Sequence, residues 1–163
     1  MPEDADLEFL RQAFALAVES VEAGDQGFGA LLAAPDGLVL LRAHQTRTRT
    51  GDCTSHAETT LVREASIRWP RDLLASSTLY SSTEPCPMCA GSIGWSGIGR
   101  VVFGLSQARM YTVWPEAKPR FTAMGLSRLI LESLNPPILL AGPLLEDEGL
   151  EAHRLWARLH PGE

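Results

Sequence analysis

The chain has 163 residues, 45% of them apolar and 21% charged, which is the composition of an ordinary globular protein with enough length for one buried core and, by default, one domain. Its formal charge is −6, from 14 Lys+Arg against 20 Asp+Glu, so it carries no overall attraction to a phosphate backbone; this argues against a nucleic-acid partner and for a small neutral ligand. No apolar run approaches the roughly 20 residues that span a bilayer, and the acidic start Met1-Pro2-Glu3-Asp4-Ala5-Asp6 lacks the basic character of a targeting signal, so a soluble cytoplasmic protein with no membrane partner is expected.

From Asp6 to Glu22 the apolar residues Leu7, Leu10, Phe14, Ala17, Val18 and Val21 recur at steps of three and four, which predicts an amphipathic helix closed by Gly24. The apolar runs Phe28–Ala34 and Leu38–Ala43 flank the turn sequence Pro35-Asp36-Gly37 and predict an antiparallel hairpin. A polar loop, Gln45–Ser55, then leads to a helix that Thr54 or Ser55 can cap, with His56 in its first turn and Pro70 as its stop. Thr78–Ser82 reads as a strand, Pro85–Trp95 as a helix ending near Gly97, and Arg100–Gly104 as a short buried strand. Leu105–Met124, with Tyr111, Trp114, Pro115 and Pro119, shows no period and suits a lid or wall over a site. Leu126–Leu134 reads as a helix, Ile138–Ala141 as a strand, and Glu146–Leu159 as a last helix with Leu150, His153, Leu155, Trp156 and Leu159 on and around its buried face. Strands alternate with helices after the hairpin, so the expected fold is α/β, a mixed sheet covered on both faces by helices.

Chemistry concentrates in two short stretches. In Pro85-Cys86-Pro87-Met88-Cys89 two cysteines stand three apart behind a proline; at a helix start both thiolates share one face of the first turn, where free N–H groups and the helix dipole lower the thiol pKa. Two ligands do not complete a zinc site, which takes three protein ligands plus water when catalytic and four when structural. Ser55-His56-Ala57-Glu58 supplies an imidazole and a carboxylate. Each piece also has a plainer reading. Ser55 and Glu58 have the spacing of a helix capping box, and a Cys-x-x-Cys pair alone serves as half of a structural zinc ribbon or as a redox pair. A four-cysteine site would need a second such pair, and only Cys53 remains. Arg42, His44, Arg47, Arg49 and Arg63 form a local basic group, read either as a solvated loop or as a phosphate contact.

Together, His56-Ala57-Glu58 and Pro85-Cys86-Pro87-Met88-Cys89 resemble the zinc motif of the cytidine-deaminase-like superfamily, with the bacterial guanine deaminases and tRNA adenosine deaminases as the nearest branch. The resemblance implies a three-layer α/β/α fold on a five-stranded sheet, with Zn²⁺ held by His56, Cys86 and Cys89 between two helix starts. It implies that Glu58 moves protons in a hydrolytic deamination that releases ammonia, and therefore that its pKa is raised. Backbone N–H groups near Ala57 and at the Cys86 helix start would stabilise developing charge. Phe28, in Gly27-Phe28-Gly29-Ala30, matches the family's Pro-Phe-Gly-Ala segment beside the substrate pocket, with Gly27 in place of proline. Gln45 stands where the family usually has a base-binding Asn, Trp95 where guanine deaminases carry a pocket tryptophan, and Glu116 is the nearest candidate for their base-holding acid. The substrate so implied is a small nucleobase or nucleoside, a purine such as guanine first, with tRNA adenosine and cytosine or cytidine as alternatives. A non-catalytic zinc-stabilised domain is the alternative from another class. Homodimers are common in this branch.

Overall fold

The computed structural model describes residues 4–114, 123 and 125–161. In chain order its elements are α1 (Asp4–Glu22), β1 (Gly29–Ala33), β2 (Val39–His44), α2 (Arg47–Thr50), α3 (Ala57–Arg68), α4 (Arg71–Ser76), β3 (Thr78–Thr83), α5 (Pro87–Ser96), β4 (Arg100–Leu105), α6 (Gln107–Met110), α7 (Leu126–Glu132), β5 (Leu139–Ala141) and α8 (Glu146–Leu159). Among the described residues no helix is long and apolar enough to cross a membrane.

The five strands form one mixed sheet in the order β2-β1-β3-β4-β5. β1 runs antiparallel to β2 and β3, whereas β3, β4 and β5 are parallel. The predicted hairpin is present, and α7 forms the crossover between the last two strands. Successive residues of the central strands feed opposite faces. Ala30, Leu32, Leu79 and Val101 join the core under α3, α5 and α7, while Leu31, Ala33, Tyr80 and Val102 pack against α1. This is the two-residue strand period with both sides covered.

Two details fix α1 on the sheet. A side chain at Gly29 would begin 2.6 Å from the Ala17 backbone nitrogen and 2.7 Å from Leu16 Cβ, so a hydrogen at this position lets the helix lie directly on β1. Asp6, 2% exposed, accepts two 2.7 Å bonds from the Arg100 guanidinium on β4 and a 2.8 Å bond from the Tyr80 hydroxyl on β3. Burial, and then the Asp6 carboxylate, push the Tyr80 phenol pKa up.

Several boundaries differ from the sequence reading. The loop Gln45–Ser55 contains α2, and α4 follows immediately after Pro70, the proline ending one helix and supplying the N-cap position of the next. β3 and β4 each run one residue further, and α5 starts two residues later, so that Cys86 is its N-cap and not an interior residue. Leu159, the last residue of α8, is 58% exposed, unlike Leu150, His153 and Trp156.

Candidate active site

The site is built where two helices begin. His56 is the N-cap of α3, Cys86 the N-cap of α5, and Cys89 lies one turn into α5. The expected side-chain cap by Thr54 or Ser55 is not made, and neither is the alternative capping box of Ser55 with Glu58: Ser55 Oγ donates to Asp52, no side chain caps α3, and Glu58 turns inward, accepting a 3.0 Å bond from Ser81 Oγ on β3. The helix start is therefore given over to the site.

His56 Nδ1 stands 3.7 Å from Cys86 Sγ and 3.5 Å from Cys89 Sγ, and the two sulfurs are 3.5 Å apart. Zinc–sulfur and zinc–nitrogen bonds of about 2.3 and 2.05 Å at tetrahedral angles require ligand separations of about 3.8 Å (S···S) and 3.6 Å (S···N). The triangle fits Zn²⁺, and among the described residues it is the group of His, Cys and acidic side chains close enough to hold a metal ion.

Charge in the site is arranged to match. The Cys86 thiol pKa is lowered, first by the hydrogen bond from the Cys89 thiol and then by His56, while that of Cys89 is raised by the same bond and by burial. Burial pulls His56 down, but the Cys86 sulfur and the Glu58 carboxyl together outweigh it and raise its pKa. Burial raises Glu58 above the ordinary carboxylate range, with Cys86 adding to the effect, in the direction the sequence predicts. Glu58 is 5% exposed, and its Oε2 lies 3.5 Å from Cys89 Sγ.

Above this floor opens a cavity of about 520 Å³, a volume that accommodates a two-ring base. Its lining includes the apolar and aromatic residues Phe28, Met110, Tyr111 and Trp114 and the polar residues Gln26, Gln45 and Thr83. Phe28 and Gln45 are thus where the sequence reading expects them, and Gln45 is fixed by a 3.4 Å bond from its amide nitrogen to Gln26 Oε1. The wall part of the expected lid is seen in Tyr111 and Trp114, whereas Glu116 lies outside the described residues. Ala57 opens α3 fully buried; its side chain does not line the cavity, and its contribution is confined to the backbone N–H of a first turn, which has no intrahelical acceptor.

Trp95 is a correction. It is 89% exposed on α5 and does not line the cavity, because the positions of α5 that face inward are those of Cys89, Ala90 and Ile93. The basic group is dispersed: Arg49 pairs with the buried Asp25, Arg42 bonds Gln12, and Arg47 alone of the five reaches the cavity lining. Thr83, Gln26 and Met110 escape the sequence reading. Thr83 had the only legible signal, lying on the strand that runs into the cysteine motif.

Residues 3–105 match the family described as the cytidine and deoxycytidylate deaminase zinc-binding region. The chain belongs to that family. The family's activity, zinc-dependent hydrolytic deamination, is thereby its enzyme class. A probable cytosine deaminase of Schizosaccharomyces pombe is 36% identical over 151 residues, 93% of this chain and 91% of that protein. The guanine deaminase of Bacillus subtilis is 42% identical over 89 residues, 54% of this chain and 56% of the relative. The structure of a guanine deaminase from Nitrosomonas europaea superimposes with a TM-score of 0.75 over 97% of this chain and 86% of that one at 18% identity, which establishes the fold of this deaminase as theirs.

Proposed function

We propose that the whole chain is one zinc-dependent deaminase domain acting on a free nucleobase or small nucleoside, a purine such as guanine first, with release of ammonia. The observation that carries the reading is a buried Glu58 carboxyl beside the His56–Cys86–Cys89 triangle, under an aromatic-walled cavity of about 520 Å³. His56, Cys86 and Cys89 hold the metal; when bound, zinc supplies a Lewis acid that makes water nucleophilic near neutral pH. Ser81 Oγ holds Glu58 Oε1 and so sets the plane of the carboxyl group. Glu58 Oε2, on the side of the Cys89 sulfur, takes one proton from the attacking water and passes it to the ring nitrogen, then takes the second from the hydroxyl now on the ring carbon and passes it to the amine, so that the C–N bond breaks, ammonia leaves and a carbonyl remains. Phe28 and Trp114 offer flat apolar surface to the base, the Gln45 amide offers a donor and an acceptor to its edge, and the N–H of Ala57 is aimed from a helix start at developing negative charge.

A second reading, deamination of cytosine, is favoured by the reach of the Schizosaccharomyces pombe relative along the chain. Ammonia release by the zinc-loaded protein against guanine, guanosine, adenine, cytosine, cytidine and a tRNA anticodon stem-loop, with Glu58→Gln as blank, separates the readings. Turnover of guanine supports the first and of cytosine the second; turnover of the stem-loop alone overturns both. The helix layer α3–α5–α7 also exposes Ile67, Trp95 and Leu129, which supports assembly of the protein as a homodimer through that face.

A further inference from the structure

One buried polar side chain next to the cavity has no part in the chemistry above. His153, on α8, has no exposed surface and does not line the cavity; it lies behind Thr83, Phe28 and Trp114, which do. Its Nε2 is 3.1 Å from Thr83 Oγ1, and its Nδ1 has no hydrogen-bond partner among the described residues. Phe28 and Trp114 meet the imidazole edge to face, with ring centroids 5.0 and 5.2 Å away at 70° and 82°. The ring is thus held in place by two walls of the cavity and bonded to a third.

We propose that His153 is a positioning residue which donates its Nε2–H to Thr83 Oγ1 and so presents the Thr83 hydroxyl proton to the cavity, as the donor that reads an acceptor atom of a planar heteroaromatic substrate. This rests on the deaminase reading above and deepens it. Burial lowers the imidazole pKa to about 4, so the ring is neutral near pH 7 and carries one proton. If that proton sat on Nδ1, a buried N–H would lack an acceptor and the Thr83 hydroxyl would be consumed as a donor to Nε2. With the proton on Nε2, the unmatched atom is a lone pair, the more tolerable of the two orphans. Thr83 Oγ1 then accepts from His153, and no other bond to this oxygen is formed among the described residues, so its proton is left to meet an acceptor of a ring bound in the cavity that Thr83 lines. The acceptor it reads is a ring nitrogen or carbonyl oxygen, on a ring flanked by Phe28 and Trp114.

The test combines a spectroscopic and a kinetic arm on zinc-loaded full-length protein. Nitrogen-15 NMR of the histidine side chains should show His153 protonated at Nε2; an Nδ1-protonated ring would overturn the proposal. With guanine, and with cytosine should guanine not be turned over, Thr83→Val and His153→Leu should each lower kcat/KM about tenfold, the size of one lost hydrogen bond. The double variant should be no worse than Thr83→Val, and His153→Gln, whose amide also donates, should recover most of the loss. Losses that multiply in the double variant, or an unaffected Thr83→Val, would show that His153 does not act through Thr83. Wild-type protein inactive on both bases would remove the reading on which the proposal rests, an outcome distinct from either of these.

Discussion

Acid should destabilise this protein through one side chain. The ordinary imidazole pKa of 6.5 falls to about 4 at His153 because the folded chain buries it without a charge partner. Below about pH 6.5 the unfolded chain takes a proton here and the folded chain does not, so stability is fully present above that value and is lost as pH falls towards 4. The gap between the two pKa values, at 1.36 kcal/mol each, makes the loss about 3 kcal/mol. His153→Gln has no proton to take and isolates the effect. The two proteins would be unfolded in urea, each with excess zinc and followed by tryptophan fluorescence, at steps from about pH 7.5 to about pH 4, and their unfolding free energies subtracted at each pH. Subtraction removes the acid loss of the metal ligands, which both share. The wild type should lose about 3 kcal/mol relative to the variant over this range, with the midpoint of urea unfolding moving accordingly. Parallel profiles would refute the argument, because they would mean that the imidazole titrates alike in both states.

Glu58→Gln should lower turnover about 10²- to 10⁴-fold while elemental analysis finds its zinc unchanged, since the carboxyl lies beside the ligand triangle and is not part of it; full activity in a zinc-replete variant would remove Glu58 from the chemistry. Cys86→Ser should lose zinc and activity together, and zinc binding by the wild type should weaken in acid, because two thiolates and a neutral imidazole must form; isothermal titration over pH measures this. Asp6→Ala should cost about 3 kcal/mol in urea unfolding, because it strips the partners from a partly buried Arg100 and from Tyr80, and an unchanged midpoint would contradict that. Replacing Trp95 and Ile67 together by Ser should convert a dimer to a monomer in light scattering without loss of the fold; a dimer that persists would place the interface elsewhere.

The zinc triangle was legible because its chemistry is local: His56 with Glu58, and Cys86 with Cys89, each sit within one helical turn, and both turns open helices that proline and polar residues announce. The hairpin and the alternation of strands and helices were legible for the same reason, since period and turn residues are short-range signals. What the sequence hid depends on distant contacts. Whether Glu58 caps its own helix or points to Ser81 is decided by where β3 lies, 23 residues on. Trp95 reads as a pocket residue because it stands where guanine deaminases carry a pocket tryptophan, but the six residues of α5 that separate it from Cys89 carry it round to the outer face. His153 reads in sequence as one more residue on the buried side of an amphipathic helix, and only the meeting of α8 with the end of β3, 70 residues apart, gives it Thr83 as a partner.

The two borders of the sheet limit how these molecules can meet. β5 is only three residues long, and β2, at the opposite border, carries Arg42 outward. A short border and a charged one are both poor templates for a strand from another copy. Growth of the sheet from molecule to molecule, the route to fibrous aggregates, is therefore discouraged at each end, and contacts between copies are left to helical surfaces, where side chains and not backbone groups choose the neighbour.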